Sequence, residues 1–318
     1  MRVGLDVSPL VQTRAGTARY VQHLLDHLPD LVRLGFGGPG RGWTLLRDAW
    51  WYPVGLPRAA RGLDVLHCPT FRAPLRSRIP LVITVHDLAV LRHPGAFNQW
   101  SRRYSRLAVP RVARAARLIV AVSEFTGREL VELLGVPEEK IRVIPNGVAE
   151  VFSPDGPVAE GDYLLAVGTI EPRKNLDRVA AAARRLGMEL RIVGEKGWGR
   201  VDANGWLGRV SDERLAELLR GARCLVYPSL YEGFGLPVVE AMACGTPVVT
   251  SVGGATEEVA GGAAVLVDPL DVASIAGGIE AALARRDELA RRGLERAGAF
   301  TWPAAAAATA DVYREAAE

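Results

Sequence analysis

The sequence predicts an α/β protein with two domains, each built on a parallel sheet with helices on both faces. Strand-like apolar runs alternate with helix-like amphipathic stretches along both halves of the chain, which is typical of parallel sheets. The 318 residues are too many for one hydrophobic core and suit two. Residues 152–157, with the sequence Phe-Ser-Pro-Asp-Gly-Pro, have the composition of a linker between the two halves.

In the first half, buried strands and amphipathic helices alternate up to the linker. The strands are predicted at Arg2–Val7, Asp64–His67, Leu81–Val85, Leu118–Val122 and Ile141–Ile144. The helices are predicted at Thr17–Leu28, Gln99–Ala116 and Phe125–Leu134. Residues 35–62 are rich in Gly, Pro, Trp and Arg, and their pattern predicts neither kind of element.

The second half repeats this alternation. Its strands are predicted at Tyr163–Val167, Leu190–Val193, Cys224–Tyr227, Val248–Thr250 and Ala264–Val267. Ser211 is a predicted N-cap because two acidic residues follow it, and Gly221 is predicted to end that helix. An alanine-rich helix begins near Trp302. The predicted domains are therefore residues 1–152 and 153–300, followed by a terminal helix over residues 301–318.

The segment from Tyr231 to Gly245 combines a glycine loop with the start of a helix. Pro237 suits the first helical turn, where its missing N–H costs nothing, and Gly245 suits the position after the last turn. Gly233 and Gly235 allow backbone amides to approach a ligand closely. Because a helix N-terminus presents unpaired N–H groups and partial positive charge, this segment predicts a site for an anion such as a diphosphate.

Charged side chains accompany this loop. Glu232 lies in the loop and Glu240 in the helix, so their carboxylates can contact hydroxyl groups on either side of a diphosphate. Arg173 and Lys174 follow a predicted strand and precede a predicted helix, where ligands of parallel sheets bind and where two cations can neutralise a diphosphate. Ordinary surface charges are the alternative, but cations at a helix start oppose the helix dipole. Together these residues indicate a nucleotide-sugar site.

At these residues the chain resembles the retaining glycosyltransferases of family 4. Glu232 and Glu240 match the E-x7-E motif of that family, and Arg173 and Lys174 match its phosphate contacts. The resemblance covers nearly the whole chain, with further matches at Ser123–Thr126, Val143–Val148, Ile192–Gly194 and Thr246–Val249. It implies the GT-B fold, in which two Rossmann-like domains face each other across a cleft and a C-terminal helix crosses back to the first domain.

The resemblance also implies roles for individual residues. Arg173 and Lys174 contact the leaving diphosphate, Glu240 binds the ribose and Glu232 binds the transferred sugar. Donor contacts are further implied for Gly168, Val210, Phe234, Gly235 and Leu236. In the front-face mechanism attributed to the family, the leaving diphosphate accepts the proton of the acceptor hydroxyl, so electrostatic stabilisation dominates the rate.

Two candidates lie in the first half, which is expected to recognise the acceptor. His86 closes the predicted strand at residues 81–85 and matches a family histidine that faces the donor sugar, although a purely structural histidine is the alternative. Gly16 precedes a predicted helix, where backbone amides can meet a phosphate or the acceptor. Many family members have two adjacent glycines at this point, whereas this chain has Ala15 before Gly16.

The closest likeness is to bacterial mannosyltransferases that use GDP-mannose. It rests on Gly168–Asn175 and on Val85–Leu88, which is followed by His93 and Pro94. The expected activity is therefore transfer of a hexose, with mannose favoured, from a nucleotide sugar to a glycan or lipid-linked acceptor. A nucleotide-sugar-binding protein without turnover and a GT-B nucleotide-sugar epimerase are the alternatives.

Other cofactors and partners are not indicated. The sequence has no Asp-x-Asp pair and no paired-histidine motif, so no metal ion is expected. No G-x-G-x-x-G motif follows a predicted strand and there is no Walker A sequence, which argues against nicotinamide and P-loop nucleotide binding. No nucleic-acid-binding motif is present.

Positive charge is concentrated in the first half. Residues 1–152 contain 21 Lys and Arg against 12 Asp and Glu (+9), and residues 153–318 contain 18 against 24 (−6), for a total of +3. The segment 92–117 interleaves basic and aromatic side chains, namely Arg92, Phe97, Trp100, Arg102, Arg103, Tyr104, Arg106, Arg111, Arg114 and Arg117. Such a segment suits a membrane surface or a lipid phosphate, and a solvated helix is the alternative.

The expected location is the cytoplasm, with peripheral attachment to the inner face of the membrane left open. Cys68, Cys224 and Cys244 are widely spaced and odd in number, so reduced thiols are expected rather than disulfides or a zinc site. No apolar run approaches the roughly 18 residues of a membrane span. Asp6 interrupts the N-terminus where a signal peptide would be apolar.

Overall fold

The computed structural model of the protein describes residues 1–12, 16–97, 99–199 and 205–318, without the side chains of Arg41, Ala96, Trp100, Ser101 and Tyr104. The chain divides into two compact units. The first unit comprises Met1–Gly147 and Trp302–Glu318, and the second comprises Val148–Thr301. The division thus lies at Gly147, whereas the sequence predicted it at residue 152, and the terminal helix is part of the first unit.

Strands and helices alternate along both units. The strands are β1 (Val3–Asp6), β2 (Val32–Leu34), β3 (Val65–Cys68), β4 (Leu81–Val85), β5 (Leu118–Ala121), β6 (Ile141–Val143), β7 (Tyr163–Val167), β8 (Glu189–Val193), β9 (Trp206–Gly208), β10 (Leu225–Tyr227), β11 (Val248–Ser251) and β12 (Val265–Val267). The α-helices are α1 (Pro9–Gln12), α2 (Gly16–His27), α3 (Arg41–Leu46), α4 (Leu56–Ala59), α5 (Ala89–Arg92), α6 (Gln99–Ala115), α7 (Glu124–Leu134), α8 (Leu176–Arg185), α9 (Asp212–Gly221), α10 (Leu236–Ala243), α11 (Ala255–Ala260), α12 (Val272–Ala284), α13 (Arg286–Ala297) and α14 (Trp302–Ala317). A π-helix, Arg47–Gly55, joins α3 to α4.

Each unit contains a parallel sheet that has six strands in the described residues. The strand order is β2-β1-β3-β4-β5-β6 in the first unit and β12-β11-β10-β7-β8-β9 in the second. The central strands are apolar and buried on both faces, as parallel strands covered by helices are. The predicted α/β class with two Rossmann-like domains is therefore confirmed.

Strand order creates one reversal point in each sheet. In the first sheet the chain passes from β1 to β2 on one side and then continues with β3 on the other side of β1. In the second sheet it passes from β7 through β8 to β9 and then returns to pair β10 with the opposite edge of β7. Ligands of open parallel sheets bind at such points, outside the carboxyl ends of the strands.

The sequence missed two short edge strands, β2 and β9, and left residues 35–62 unassigned. Those residues form α3, the π-helix and α4. The strand β2 stands directly before Gly35–Gly40, whose glycines have G-x-G-x-x-G spacing. This loop is filled by the protein itself, since a Cβ on Gly37 would lie 2.5 Å from the Trp43 ring. Arg47 donates to the carbonyl of Gly38 at 2.9 Å, so the loop is packed as a structural element.

The terminal helix α14 completes the core on one face of the first sheet. Its residues Trp302, Val312 and Tyr313 pack with α2 and with the strands β3 to β5. The hydroxyl of Tyr313 lies 2.7 Å from Nδ1 of His67, and Nε2 of His67 lies 2.8 Å from the hydroxyl of Thr84. A buried polar contact therefore joins α14 to the middle of the sheet.

The basic segment 92–117 begins with an arginine that is held in ion pairs. Arg92 bonds to Glu129 at 2.6 Å and to Glu132 at 2.8 Å, both on α7. Exposed arginines line the outer side of α6, namely Arg103, Arg106, Arg111 and Arg114. The side chains of Trp100 and Tyr104 lie outside the described residues. No helix in the described part of the chain has the length and apolar character that a membrane crossing requires.

The buried side chain of His67 predicts that the stability of the protein depends on pH. Burial and the neighbouring His86 lower the pKa of His67 from 6.5 to about 3. Because the unfolded chain then binds protons more readily, the free energy of unfolding should fall as pH drops from 6.5 towards 3. In urea unfolding between pH 4.5 and 7.5, His67→Gln should flatten this slope by up to about 1.4 kcal/mol per pH unit.

A matched control for this experiment is Tyr20→Phe. Tyr20 contacts the same Thr84 hydroxyl at 3.0 Å, and burial raises its pKa to about 12, outside the tested range. This variant should lower stability without changing the slope. Identical slopes for His67→Gln and the unmodified protein would contradict the assignment.

Candidate functional site

The reversal point of the second sheet brings two loops together. The loop after β7 carries Arg173 and Lys174, and the loop after β10 carries Glu232. Because β7 and β10 are parallel neighbours, both loops leave the same edge of the sheet. Residues far apart in the sequence therefore meet where a ligand of this fold class binds.

Asn175 fixes the two loops to each other. Its backbone is left-handed, with φ of 59°, an uncommon conformation that a short polar side chain tolerates. Its Nδ2 donates to the carbonyl of Pro228 at 3.0 Å and to that of Pro269 at 2.6 Å. The amide of Leu230 also donates to the carbonyl of Arg173 at 2.8 Å. These bonds hold Arg173 and Lys174, which precede Asn175 in the sequence, at a defined position.

The two cations are bonded to carboxylates. Nζ of Lys174 lies 2.6 Å from Oε1 of Glu232, and Nη1 of Arg173 lies 3.0 Å from its Oε2. Nη2 of Arg173 also lies 2.8 Å from Glu171. The hydroxyl of Tyr227 donates to Glu232 at 2.8 Å and accepts from Lys174 at 2.8 Å. Arg173, Lys174 and Glu232, which the sequence singled out, thus form one network, to which the structure adds Glu171 and Tyr227.

The ion pairs of this network outweigh the cost of burying its charges. Burial alone would raise the pKa of Glu232, but Lys174 and Arg173 lower it to about 2. Burial likewise opposes the charge on Lys174, yet Glu232 and Tyr227 raise its pKa above the usual value. Both groups are therefore charged at neutral pH, although the side chain of Lys174 is only 13% exposed and that of Glu232 only 10%.

The helix α10 begins beside Glu232. Gly235 is its N-cap, with φ of 104°, and as a glycine it has no side chain to cap the first turn. A Cβ at Gly235 would lie 2.9 Å from Cγ2 of Thr256, so space as well as backbone angle favours glycine. The predicted positions of Pro237 in the first turn and of Gly245 after the helix agree with the structure. This helix start presents backbone amides and partial positive charge.

The remaining donor candidates lie around this network. Gly168 packs against Lys174, since a Cβ on Gly168 would lie 3.1 Å from Cδ of Lys174. Phe234 is buried with its ring centroid 5.7 Å from that of Phe300. Val210 is half-buried and directly precedes Ser211, which caps α9 as predicted. Leu236 is the first residue of α10.

Glu240 is the candidate whose setting differs most from expectation. The sequence assigned it to ribose hydroxyls, but it lies inside α10 and is only 2% exposed. Its role in ribose binding stays a prediction. Across the described ranges, no three His, Cys, Asp or Glu side chains are grouped so that they could hold a metal ion.

His86 lies in the first unit, directly after β4. Burial lowers its pKa to about 4, although Asp87 and the carbonyl of Pro69 act in the opposite direction. Its Nε2 lies 3.1 Å from the carbonyl oxygen of Pro69, which can only accept, so Nε2 carries the proton. His86 is therefore neutral at pH 7 and presents Nδ1 as a hydrogen-bond acceptor. This chemistry suits contact with a hydroxyl group better than proton abstraction.

The first sheet also has polar side chains at its reversal point, which the sequence did not single out. Gln12 follows β1 and accepts from Arg72, which follows β3, at 2.9 Å. Asp6 ends β1, and burial raises its pKa to about 6 even though Ser8 donates to it. Gly16 begins α2, whereas Arg14 and Ala15 of the same predicted loop lie outside the described residues.

Glu232→Gln should destabilise the protein by about 3 kcal/mol at pH 7, because buried cations lose a charged partner. The folded-state pKa of Glu232 lies below its usual 4.5, so its stabilisation is present above pH 4.5 and is lost as pH falls towards 2. The variant should therefore lack that part of the acid dependence in urea unfolding.

Glu288→Gln is the matched control. Glu288 bonds to Arg285 and Arg292 on the surface, where ion pairs contribute little. Equal losses of stability in the two variants would show that the Glu232 network has no special weight.

Comparison with known proteins agrees with the fold. Residues 2–150 match the protein-family model described as Glycosyltransferase Family 4, and residues 150–297 match the one described as Glycosyl transferases group 1. Over 282 residues the chain is 33% identical to O-antigen chain mannosyltransferase B of Escherichia coli, which covers 79% of this chain and 74% of that protein.

Two further similarities extend over nearly the whole chain. A glycogen synthase of Mycobacterium tuberculosis is 31% identical over 361 residues, covering 98% of this chain and 86% of that protein. The sucrose-phosphate synthase structure from Thermosynechococcus elongatus superposes with a TM-score of 0.78 at 22% identity, covering 99% of this chain and 98% of that one. That last likeness concerns the fold alone. The chain is therefore a glycosyltransferase that belongs to family 4 and has the GT-B fold.

Proposed function

We propose that this glycosyltransferase transfers mannose, with retention of configuration and without a metal ion, from GDP-mannose to a hydroxyl group of a glycan or lipid-linked acceptor. The observation that carries the proposal is the position of Arg173 and Lys174 at the reversal point of the second sheet, beside the start of α10. Two cations and a helix N-terminus provide the charge-assisted and backbone hydrogen bonds that a diphosphate requires.

Donor binding on this proposal is an exchange of partners. Arg173 and Lys174 are bonded to Glu232, so the diphosphate competes with this carboxylate for the same cations. The displaced Glu232 then turns to hydroxyl groups of the transferred sugar. Breaking a buried ion pair is expensive unless each charge gains a new partner. The exchange therefore favours a ligand that has both a phosphate and hydroxyl groups.

Retention on this proposal does not use a carboxylate nucleophile. In retaining glycosidases a carboxylate attacks the sugar to form a covalent intermediate. Glu232 is bonded to both cations, and because these cations lower its pKa to about 2, it is a weak nucleophile. We favour front-face attack, in which the leaving diphosphate takes the proton of the acceptor hydroxyl while Arg173, Lys174 and the α10 amides stabilise its charge.

Acceptor recognition is assigned to the first unit. Its reversal point carries Gln12 and Arg72, and His86 is hydrogen-bonded to Pro69 in the same loop as Arg72. These groups offer the donors and acceptors that sugar hydroxyls need. His86, neutral and with Nδ1 available as an acceptor, suits a hydroxyl contact.

Mannose and GDP are favoured by two observations. The segment Gly168–Asn175 has the form typical of GDP-mannose enzymes, and the Escherichia coli relative is named a mannosyltransferase. A thermal-shift comparison of GDP-mannose, GDP, UDP-glucose and UDP in EDTA should give selective stabilisation by the two guanine nucleotides, since a ligand that binds only the folded state raises its stability. Selective stabilisation by the UDP compounds would overturn the assignment of the donor. Loss of the thermal shift in EDTA would overturn metal independence.

Lys174→Ala should lower turnover by about 100-fold or more, because a main stabiliser of the leaving group is lost. Its melting temperature should be measured alongside, since Glu232 loses a partner. Asp177→Ala, an exposed substitution in the first turn of α8, serves as the control and should keep normal turnover. Near-normal turnover of Lys174→Ala would remove the lysine from the mechanism.

A further inference from the structure

The proposed diphosphate site has too little positive charge of its own. Arg173 and Lys174 are bonded to Glu171 and Glu232, so the formal charge of these four side chains is zero. A nucleoside diphosphate sugar brings negative charge on both phosphates. The start of α10 offers only partial charge. A further full positive charge near these residues would therefore favour binding.

The loop after β8 lies directly against the loop after β7. The amide of Ile170 donates to the carbonyl of Glu195 at 3.0 Å, and the amide of Gly199 donates to the carbonyl of Ile170 at 2.8 Å. The residues 195–199 are therefore anchored at both ends to the segment that leads into Arg173 and Lys174.

Glycines make this close approach feasible. A Cβ on Gly194 would lie 1.9 Å from the carbonyl oxygen of Gly168, and one on Gly197 would lie 2.3 Å from that of Ile170. No side chain can be added at either position without moving backbone. Gly168 in turn packs on the Lys174 side chain. The loop after β8 is thus in backbone contact with the proposed phosphate site.

In the described part of this loop, Glu195 and Lys196 are the charged residues. Glu195 bonds to Arg209 at 2.8 Å, and Nε1 of Trp206 donates to the carbonyl of Gly194 at 2.9 Å. Lys196 lies between Glu195 and Gly197 and is exposed. Among the described residues no hydrogen bond or ion pair engages its ammonium group. An anchored loop therefore presents a cation that no described residue pairs, next to a site whose own cations are both paired with carboxylates.

We propose that Lys196 is a third cation of the donor site and supplies positive charge to the diphosphate. This inference rests on the proposed function, because it needs a diphosphate beside Lys174. Lys196 contacts the phosphates from the β8 side, while Arg173 and Lys174 approach from the β7 side. Its contribution depends on phosphate charge and not on the base or the sugar.

The test measures the affinity of purified full-length variants for GDP, GMP and guanosine by calorimetry, with UDP, UMP and uridine in parallel. Lys196→Ala should weaken GDP or UDP binding by about 10-fold or more, as expected for loss of one charged hydrogen bond. It should weaken monophosphate binding less and leave nucleoside binding unchanged. Lys196→Arg should stay within about threefold of the unmodified protein, because it keeps the charge.

Arg185→Ala is the matched control. Arg185 is an exposed cation at the C-terminal end of α8, which leads to the amino end of β8 at the opposite edge of the sheet. The Arg185→Ala substitution removes one positive charge from the same unit and should leave the affinity for the diphosphate unchanged.

Three results would overturn the inference. These are unchanged diphosphate affinity in Lys196→Ala, an equal loss for diphosphate and nucleoside, and an equal loss in Arg185→Ala. If the unmodified protein binds neither diphosphate, the proposed function fails as well. If it binds one of them and Lys196→Ala binds equally well, only the role of Lys196 fails.

Discussion

The ion-pair network of Lys174, Arg173 and Glu232 is the interaction on which the account of this protein depends. It joins the loops that leave β7 and β10. These two strands are neighbours because the chain adds β8 and β9 on one side of β7 and then returns to add β10 on the other side. Asn175 and the glycines at 168 and 235 fix the backbone around it. The result is a buried set of charges whose cations, on the proposed function, bind the phosphates of the donor. The same contact that stabilises the fold thus defines the chemistry of the site.

Burial sets the protonation states that this chemistry needs. Glu232 stays ionised because two cations outweigh its desolvation, which lowers its pKa to about 2. His86 stays neutral because desolvation outweighs its contacts, which lowers its pKa to about 4. The ionised Glu232 can bond either to a cation or to hydroxyl groups. The neutral His86 can accept a hydrogen bond from a hydroxyl group. Neither is suited to serve as a general base at neutral pH.

Much of the fold could be predicted from the sequence, because long apolar runs determine the central strands. The limits of Leu81–Val85 and Tyr163–Val167 agree with the structure. The edge strands Val32–Leu34 and Trp206–Gly208 are short and partly exposed, so their pattern is weak. Residues 35–62 form helices despite Pro53 and several glycines, because packing of their aromatic side chains overrides local propensity.

Three members of the ion-pair network were singled out from the sequence, but their contacts with one another were not predicted. Motif spacing identified Arg173, Lys174 and Glu232, and assigned the cations and the carboxylate to different parts of a ligand. Their direct bonding depends on which strands are neighbours, a long-range property that residue spacing does not contain. Tyr227 and Asn175 were overlooked for the same reason, since their positions in the network arise from contacts across loops.

The most direct measurement is a crystal structure of the protein with GDP-mannose. We expect phosphate oxygens within hydrogen-bonding distance of Nζ of Lys174 and of the first amides of α10, with the carboxylate of Glu232 turned towards the sugar. A nucleotide bound elsewhere, with the bond between Lys174 and Glu232 intact, would contradict it.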